Sequence, residues 1–172
     1  MLRNLLILLV LLSVSACGFR PLNHPRLAGG AVGQGLQDIK VEFVENRIGQ
    51  ELRNQLLDRL NPYGPPDRAL YSLSIDLAEG VQNLGIRKDD SSTRANLIIN
   101  ARFQLSDLQT RRTLTGGSFR SVNSYDILTS QYATQIAKED ARRRGAEQIA
   151  NHIETRLSLY LLEQAQRRRT GQ

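Results

Sequence analysis

Three basic residues around one predicted hairpin are the side chains best suited to bind a ligand. Arg87 and Lys88 lie in the polar connection between two alternating segments, and Arg94 lies at the start of the second segment. Guanidinium groups bind phosphate oxygens in a bidentate geometry, so this cluster favours a phosphorylated ligand. Arg111 and Arg112 form a second basic pair at the next chain reversal. The alternative interpretation is that both groups are ordinary charged loop residues that face solvent and bind no ligand.

The only cysteine of the chain lies at the end of a predicted export signal. An unbroken apolar run at residues 5–12 is too short for a transmembrane helix, which needs about twenty residues. Ser15 and Ala16 directly precede Cys17 and resemble the bacterial lipobox, in which the cysteine is alkylated with diacylglycerol and acylated after cleavage. A single cysteine in an exported protein cannot form an intramolecular disulfide, which favours lipidation of Cys17 over a plain signal peptide with an incidental cysteine. Gly18, where aspartate would resemble the signal for inner-membrane retention, points to the outer membrane of a Gram-negative bacterium.

Residue patterns typical of catalysis and of metal binding are missing from the sequence. Only His24 and His152 could supply imidazole ligands, and no second cysteine exists, so there is no zinc spacing. No glycine-rich turn resembles a phosphate-binding loop, and no serine stands in a nucleophile-elbow pattern. Asp89 and Asp90 are typical of a turn rather than of a catalytic carboxylate pair. The sequence therefore predicts a protein that is not an enzyme and has no cofactor or metal.

The composition predicts one globular domain with short appendages and an acidic partner. The chain has 172 residues, of which 40% are hydrophobic and 23% are charged. Twenty arginines and three lysines stand against 17 acidic residues, giving a formal net charge of +6. Nucleic acid, anionic lipid and phosphorylated glycolipid all suit this charge. The absence of tryptophan leaves few stacking platforms, which disfavours single-stranded nucleic acid.

Hydrophobic periodicity predicts four strands and two helices. Alternating apolar residues indicate strands near residues 39–43, 70–82 and 93–108, and a weaker strand at 112–122 interrupted by Gly116 and Gly117. Glycine inside a strand indicates a bulge or the close approach of another backbone. Apolar residues recur at every fourth position in two helical segments: Ile48, Leu52, Leu56 and Leu60, with Asn46 as a possible cap, and Ala137, Ala141, Gly145, Ile149, Ile153, Leu157 and Leu161.

This order predicts an α+β fold, a two-layer sandwich with two helices on one face of a four-stranded, mostly antiparallel sheet (β-α-β-β-β-α). Residues 1–16 are the predicted lipoprotein signal peptide, and residues 17–35 the lipidated N-terminal tether. Residues 36–165 form the predicted domain, followed by a short basic tail at 166–172. Small residues in the last helix are expected to let it approach the sheet closely.

Several short motifs in order resemble the LPS-assembly lipoprotein family LptE. They are Cys17-Gly18-Phe19-Arg20-Pro21-Leu22, the stretch from Gly85-Ile86-Arg87 to Asn100-Ala101, Phe119-Arg120-Ser121, and Ala146-Glu147-Gln148-Ile149. The resemblance covers nearly the whole chain. It implies an outer-membrane lipoprotein that fills the lumen of the large β-barrel LptD from the periplasmic side as a one-to-one partner.

The resemblance also implies assistance to barrel assembly, delivery of lipopolysaccharide to the outer leaflet, and direct binding of lipopolysaccharide. Arg87 falls at a position that matches the family, with Lys88 and Arg94 as helpers, whereas Lys138 is only a weak candidate. A different lipoprotein binding module, such as a secretin pilot protein or a carrier of anionic lipid, is the alternative function.

Overall fold

The computed structural model describes residues 30–86 and 92–171, and within them the side chains of all but Ala31, Gly85, Ile86 and Ser92. Three helices and four strands follow one another along the chain. In order they are α1 (Ala31–Gln37), β1 (Ile39–Val41), α2 (Asn46–Leu60), β2 (Tyr71–Ile86), β3 (Ser92–Asp107), β4 (Thr113–Asp126) and α3 (Gln131–Thr170).

The four strands form one sheet in the order β1-β2-β3-β4. β1 is parallel to β2, because α2 carries the chain back between them, whereas β2, β3 and β4 pair antiparallel through short reversals. The predicted α+β class, strand number and order of the four strands and two long helices are confirmed.

The helical layer covers one face of the sheet. The predicted stripe of α2 is buried as expected, at Ile48, Leu52, Leu56 and Leu60, and it packs beside the long helix α3. The two helices run in the same direction, since Arg47 near the start of α2 pairs with Glu139 and Arg59 near its end donates to Asn151. Burying these leucines supplies the main driving force that holds the layers together.

Glycine permits close approach of backbones at the two places where the sequence suggested it. A Cβ on Gly145 of α3 would lie 2.3 Å from Cδ1 of the buried Ile99 in β3, so a side chain at this position would displace the end of Ile99. A Cβ on Gly116 of β4 would lie 2.7 Å from the carbonyl oxygen of Phe103 on the neighbouring strand. The irregularity of the β3–β4 ladder lies next to it, between Leu105 and Ser106.

The first strand is shorter than the alternation indicated. Phe43 was expected to continue its buried face, but it is 71% exposed because the chain leaves the sheet after Val41. Val44 takes the buried position instead and packs against Gly49, whose missing side chain makes room for it. Asn46 is also not the cap: it is the first residue of α2, and Glu45 precedes it without a capping hydrogen bond from its side chain.

The described chain begins with a short helix that the sequence pattern did not indicate. α1 crosses the helical layer near the end of α3, where Gly35 approaches Leu161. The side-chain amide of the buried Asn61 donates to the carbonyl oxygen of Gln37 and ties the end of α2 to α1. The final helix continues through the three successive arginines at 167–169 and ends at Gly171 in the left-handed conformation.

Candidate functional site

The β2–β3 hairpin is the longest feature of the sheet and carries the predicted basic cluster at one end. Its two strands of 16 residues each pair from Tyr71 with Asp107 to Ile86 with Ser92. Sixteen residues in a strand span about 50 Å. Val81 was expected on the buried face, yet it is 47% exposed, because the described helices do not cover this part of the hairpin.

The structure describes only one of the three predicted ligand-binding residues. Arg94 lies on the solvent-facing side of the sheet, between Leu84 of β2 and Asp126 of β4. Its Nε donates to Oδ1 of Asp126 at 3.1 Å, and both side chains are 60% exposed. The side chain of Arg94 is therefore paired across to β4 but stays accessible. Arg87, Lys88 and the predicted lipidation residue Cys17 lie outside the described residues.

On the opposite side of the sheet, one acidic residue attaches the hairpin to α3. Glu79 of β2 accepts two hydrogen bonds of 2.8 Å from the guanidinium of Arg142, and Lys138 lies 3.8 Å away. The side chains of Glu79 and Arg142 are each only 22% exposed. The hydrogen bonds from Arg142 and its positive charge hold the pKa of the Glu79 carboxyl below its ordinary value, although partial burial opposes this.

The three successive arginines at 142–144 of α3 do not have the same surroundings. Arg143 and Arg144 both pair with Asp140, and Arg144 also donates to the backbone carbonyl oxygen of Ser124 in β4 at 3.1 Å. Arg142 instead pairs with Glu79 of β2. The alternation of β2 gave one indication of this ion pair. Residue 79 falls on the buried side of that strand, and α3 carries two basic residues spaced four apart, Lys138 and Arg142, that face it.

A closed ring of three polar side chains between β4 and α3 was not anticipated. Ser121 donates to Gln148 at 2.7 Å, the amide of Gln148 donates to Asn123 at 3.3 Å, and the amide of Asn123 donates to Ser121 at 2.7 Å. Ser121 and Asn123 are buried. Gly145 makes this possible because its missing side chain lets the helix come close enough for Gln148 to reach the strand. The ring sets the register of α3 on the sheet.

His152 contributes packing to the same interface. Its ring stacks on Phe119 at a centroid distance of 4.4 Å and meets the edge of Phe103 at 6.5 Å. These ring contacts place His152 at the boundary between α3 and the sheet. Within residues 30–86 and 92–171, no three His, Cys, Asp or Glu side chains gather into a possible metal site. Among the helices of this part of the chain, none is both long and apolar enough to cross a membrane.

Comparisons with known proteins identify relatives of the same size and fold. A lipoprotein structure from Caulobacter crescentus is 28% identical, with a TM-score of 0.66 over 78% of this chain and 98% of that one. The rare lipoprotein B from Shewanella oneidensis shares the fold at 13% identity, with a TM-score of 0.57 over 74% of this chain and 98% of its own. An uncharacterised protein of Rickettsia prowazekii is 26% identical over 149 residues, which are 87% of this chain and 91% of the relative.

The strongest assignment comes from the family model named LptE, Lipopolysaccharide-assembly, which matches residues 36–157. These residues include β1, α2, the complete hairpin, β4 and most of α3. The resemblance noted in the short motifs is thus confirmed over more than half of the chain. The chain belongs to the LptE family of lipopolysaccharide-assembly proteins.

Proposed function

We propose that this protein is a non-catalytic outer-membrane lipoprotein that fills the lumen of an LptD-type β-barrel, helps that barrel to assemble, and assists delivery of lipopolysaccharide to the outer leaflet. The observation that carries this proposal is the family match across residues 36–157. Acylation of Cys17 anchors the chain on the periplasmic side, since several acyl chains together give stable attachment.

The solvent-facing side of the sheet suits a polar, water-filled barrel interior. No described helix covers this face, and its side chains are mostly polar. The polar side chains on β3 and β4 are Arg94, Asn96, Asn100, Arg102, Gln104, Ser118, Arg120, Ser124 and Asp126. Lumens of large outer-membrane barrels are lined by polar residues. A two-layer body with such a mostly polar surface suits a water-filled lumen, and Val122, which is 48% exposed, is one apolar side chain on this face.

The hairpin end is the part that we propose contacts lipopolysaccharide. Arg87 and Lys88 supply positive charge in the hairpin connection, and Arg94 stands nearby on β3 with its side chain 60% exposed. Lipopolysaccharide carries phosphates, and arginine binds phosphate oxygens through two parallel hydrogen bonds. The hydrogen bond to Asp126 on β4 restrains the Arg94 side chain before ligand arrives.

Copurification tests the partner. The acylated protein, extracted in mild detergent, is expected to emerge in a one-to-one complex with an outer-membrane β-barrel. A chain that always emerges alone, or with the components of a secretion pore, would contradict the proposal.

Substitution at the hairpin tests ligand binding. The double variant Arg87→Glu with Lys88→Glu is expected to weaken binding of purified lipopolysaccharide by at least about tenfold, because two attractive charges become repulsive. Arg102→Glu with Arg120→Glu makes the same change of charge on the same sheet, further from the hairpin connection. Equal loss of binding in the two folded variants would show that only overall charge matters and would exclude a hairpin site.

A further inference from the structure

We propose that the end of the molecule opposite the hairpin connection binds the anionic phospholipid headgroups of the leaflet that holds the lipid anchor. This surface, named here the arginine end, consists of Arg111 and Arg112 in the β3–β4 turn and the three arginines that end α3, Arg167, Arg168 and Arg169. The proposal rests on the anchoring at Cys17 proposed above, and it adds a second point of membrane contact.

Turn and helix meet at one cavity of about 630 Å³. Asp107, just before the β3–β4 turn, lines this cavity together with Arg168 and Arg169 of α3. The Asp107 carboxylate accepts hydrogen bonds from the backbone amides of the next turn residues, Gln109 at 2.9 Å and Thr110 at 2.7 Å. These bonds fix the turn that carries Arg111 and Arg112, at the same end of the molecule as the last turn of the helix.

The arginines at this end are clustered without acidic partners, whereas the other described arginines that form no ion pair are spread over α2, the loop after it, β3, β4 and the middle of α3: Arg53, Arg68, Arg102, Arg120 and Arg156. Six arginines elsewhere on the described body form ion pairs with acidic side chains: Arg47, Arg59, Arg94, Arg142, Arg143 and Arg144. The five side chains of the arginine end are all exposed, and none forms an ion pair or side-chain hydrogen bond with another described residue. Two carboxylates, Asp38 and Asp107, line the adjoining cavity, so a positive excess remains. Unpaired guanidinium groups are ready to bind phosphate oxygens.

The lipid anchor approaches the body from this same end. Gln34 and Gly35 of α1 line the cavity together with Arg168 and Arg169, so the described chain begins beside the arginine end. Twelve residues separate Cys17 from Gly30, and a chain of that length reaches at most about 45 Å. The hairpin connection lies about 50 Å away, at the far end of β2. The arginine end is therefore the basic surface that the tether keeps nearest to the bilayer.

An acyl anchor and a basic surface reinforce each other, because the anchor removes most of the entropic cost of bringing the charges to the membrane. Each arginine close to an anionic surface is expected to favour contact by about fivefold. The hairpin connection and the arginine end then serve different ligands: lipopolysaccharide at one end and anionic phospholipid at the other.

A fluorescent probe at the arginine end tests this orientation. Acylation consumes the thiol of Cys17, so Thr170→Cys provides the single reactive thiol in the full acylated chain. The labelled protein is reconstituted into vesicles of phosphatidylcholine with or without phosphatidylglycerol, each carrying a quencher on the headgroup of a trace lipid. We expect stronger quenching with phosphatidylglycerol, reversed by high salt. A label at Gln82→Cys, near the other end of β2, is expected to respond to neither change.

Two matched triple variants identify the residues responsible. Arg167→Gln, Arg168→Gln and Arg169→Gln together are expected to reduce the phosphatidylglycerol-dependent docking by about 100-fold. Removing three exposed arginines elsewhere, by Arg102→Gln, Arg120→Gln and Arg156→Gln, is expected to change it less than about fivefold.

Quenching that is equal in both vesicles, or an equal effect of the two triple variants, would overturn the proposal. Quenching that requires added lipopolysaccharide would show that the phosphates of that lipid are the true ligand and would also overturn it. Such results would leave the role in lipopolysaccharide assembly intact, since the vesicles contain no barrel. A chain that fails to associate with any vesicle would contradict the anchor itself.

Discussion

The ion pair between Glu79 and Arg142 is expected to stabilise the attachment of the hairpin to α3 by a measurable amount. Exposed ion pairs contribute about 0.2–1 kcal/mol to the free energy of unfolding, whereas hydrogen bonds to charged groups contribute about 1.5–3 kcal/mol. This pair lies between these cases, with two hydrogen bonds of 2.8 Å and 22% exposure of each side chain. Lys138 at 3.8 Å compensates partly when Arg142 is removed. We therefore expect a coupling free energy of about 1–2 kcal/mol from a double-mutant cycle.

The pH dependence of this coupling has a definite sign. The pKa of Glu79 is lowered in the folded protein from an ordinary value of 4.5. The folded state thus binds the proton more weakly than the unfolded state, and the stabilisation is complete above the unfolded pKa. It declines as the pH falls below about 4.5 and is lost as the pH passes through the lowered folded pKa.

Urea unfolding of the acylated protein in mild detergent, followed by circular dichroism, provides the measurement. The cycle consists of the parent, Glu79→Ala, Arg142→Ala and the double variant, at neutral pH and at acid pH. Arg47 and Glu139 form the comparison pair, because they join another element, α2, to α3 at 3.0 Å, but Arg47 is 75% exposed. A coupling for Glu79 and Arg142 no larger than that of the comparison pair, or unchanged by acid, would refute this reasoning.

Two further changes test the packing. Gly116→Ala is expected to destabilise the protein by about 1–3 kcal/mol in the same assay, because the new Cβ would meet the backbone oxygen of Phe103, which cannot rotate away; unchanged stability would contradict the close approach. Leu52→Ala is expected to cost about 2–5 kcal/mol, since Leu52 is fully buried, whereas Phe43→Ala is expected to stay within about 0.5 kcal/mol because Phe43 is 71% exposed. Equal losses would contradict the burial described for the two residues.

Local periodicity was sufficient to predict those parts of the fold that bury a regular stripe. Ile149, Ile153 and Leu157 lie at helical spacing and are all fully buried. Phe43 continued an alternation equally well, but the chain leaves the sheet after Val41 and turns toward α2, although its partner strand β2 continues to Ile86. Such a departure depends on tertiary packing and not on local alternation. The short helix α1 has two glycines in seven residues, which lowers its intrinsic helical preference, so it depends on tertiary contacts with α3.

The candidate site was less accessible to sequence reasoning. The choice of basic residues around the hairpin followed from charge and from resemblance, and Arg94 is indeed exposed near that end. The pairing of Glu79 with Arg142 joins residues 63 apart, and the polar ring joins β4 to α3 across more than twenty residues. The alternation of β2 places Glu79 on the buried face, but its pairing with Arg142 depends on how α3 lies on the sheet, and local periodicity does not specify that register.

Depletion of this protein, followed by measurement of lipopolysaccharide on the cell surface, tests its proposed role most directly. The account predicts that surface lipopolysaccharide falls while newly made lipopolysaccharide accumulates inside the cell, and that the wild-type chain restores the surface level. Cells that retain normal surface lipopolysaccharide after complete depletion would contradict a role in its delivery.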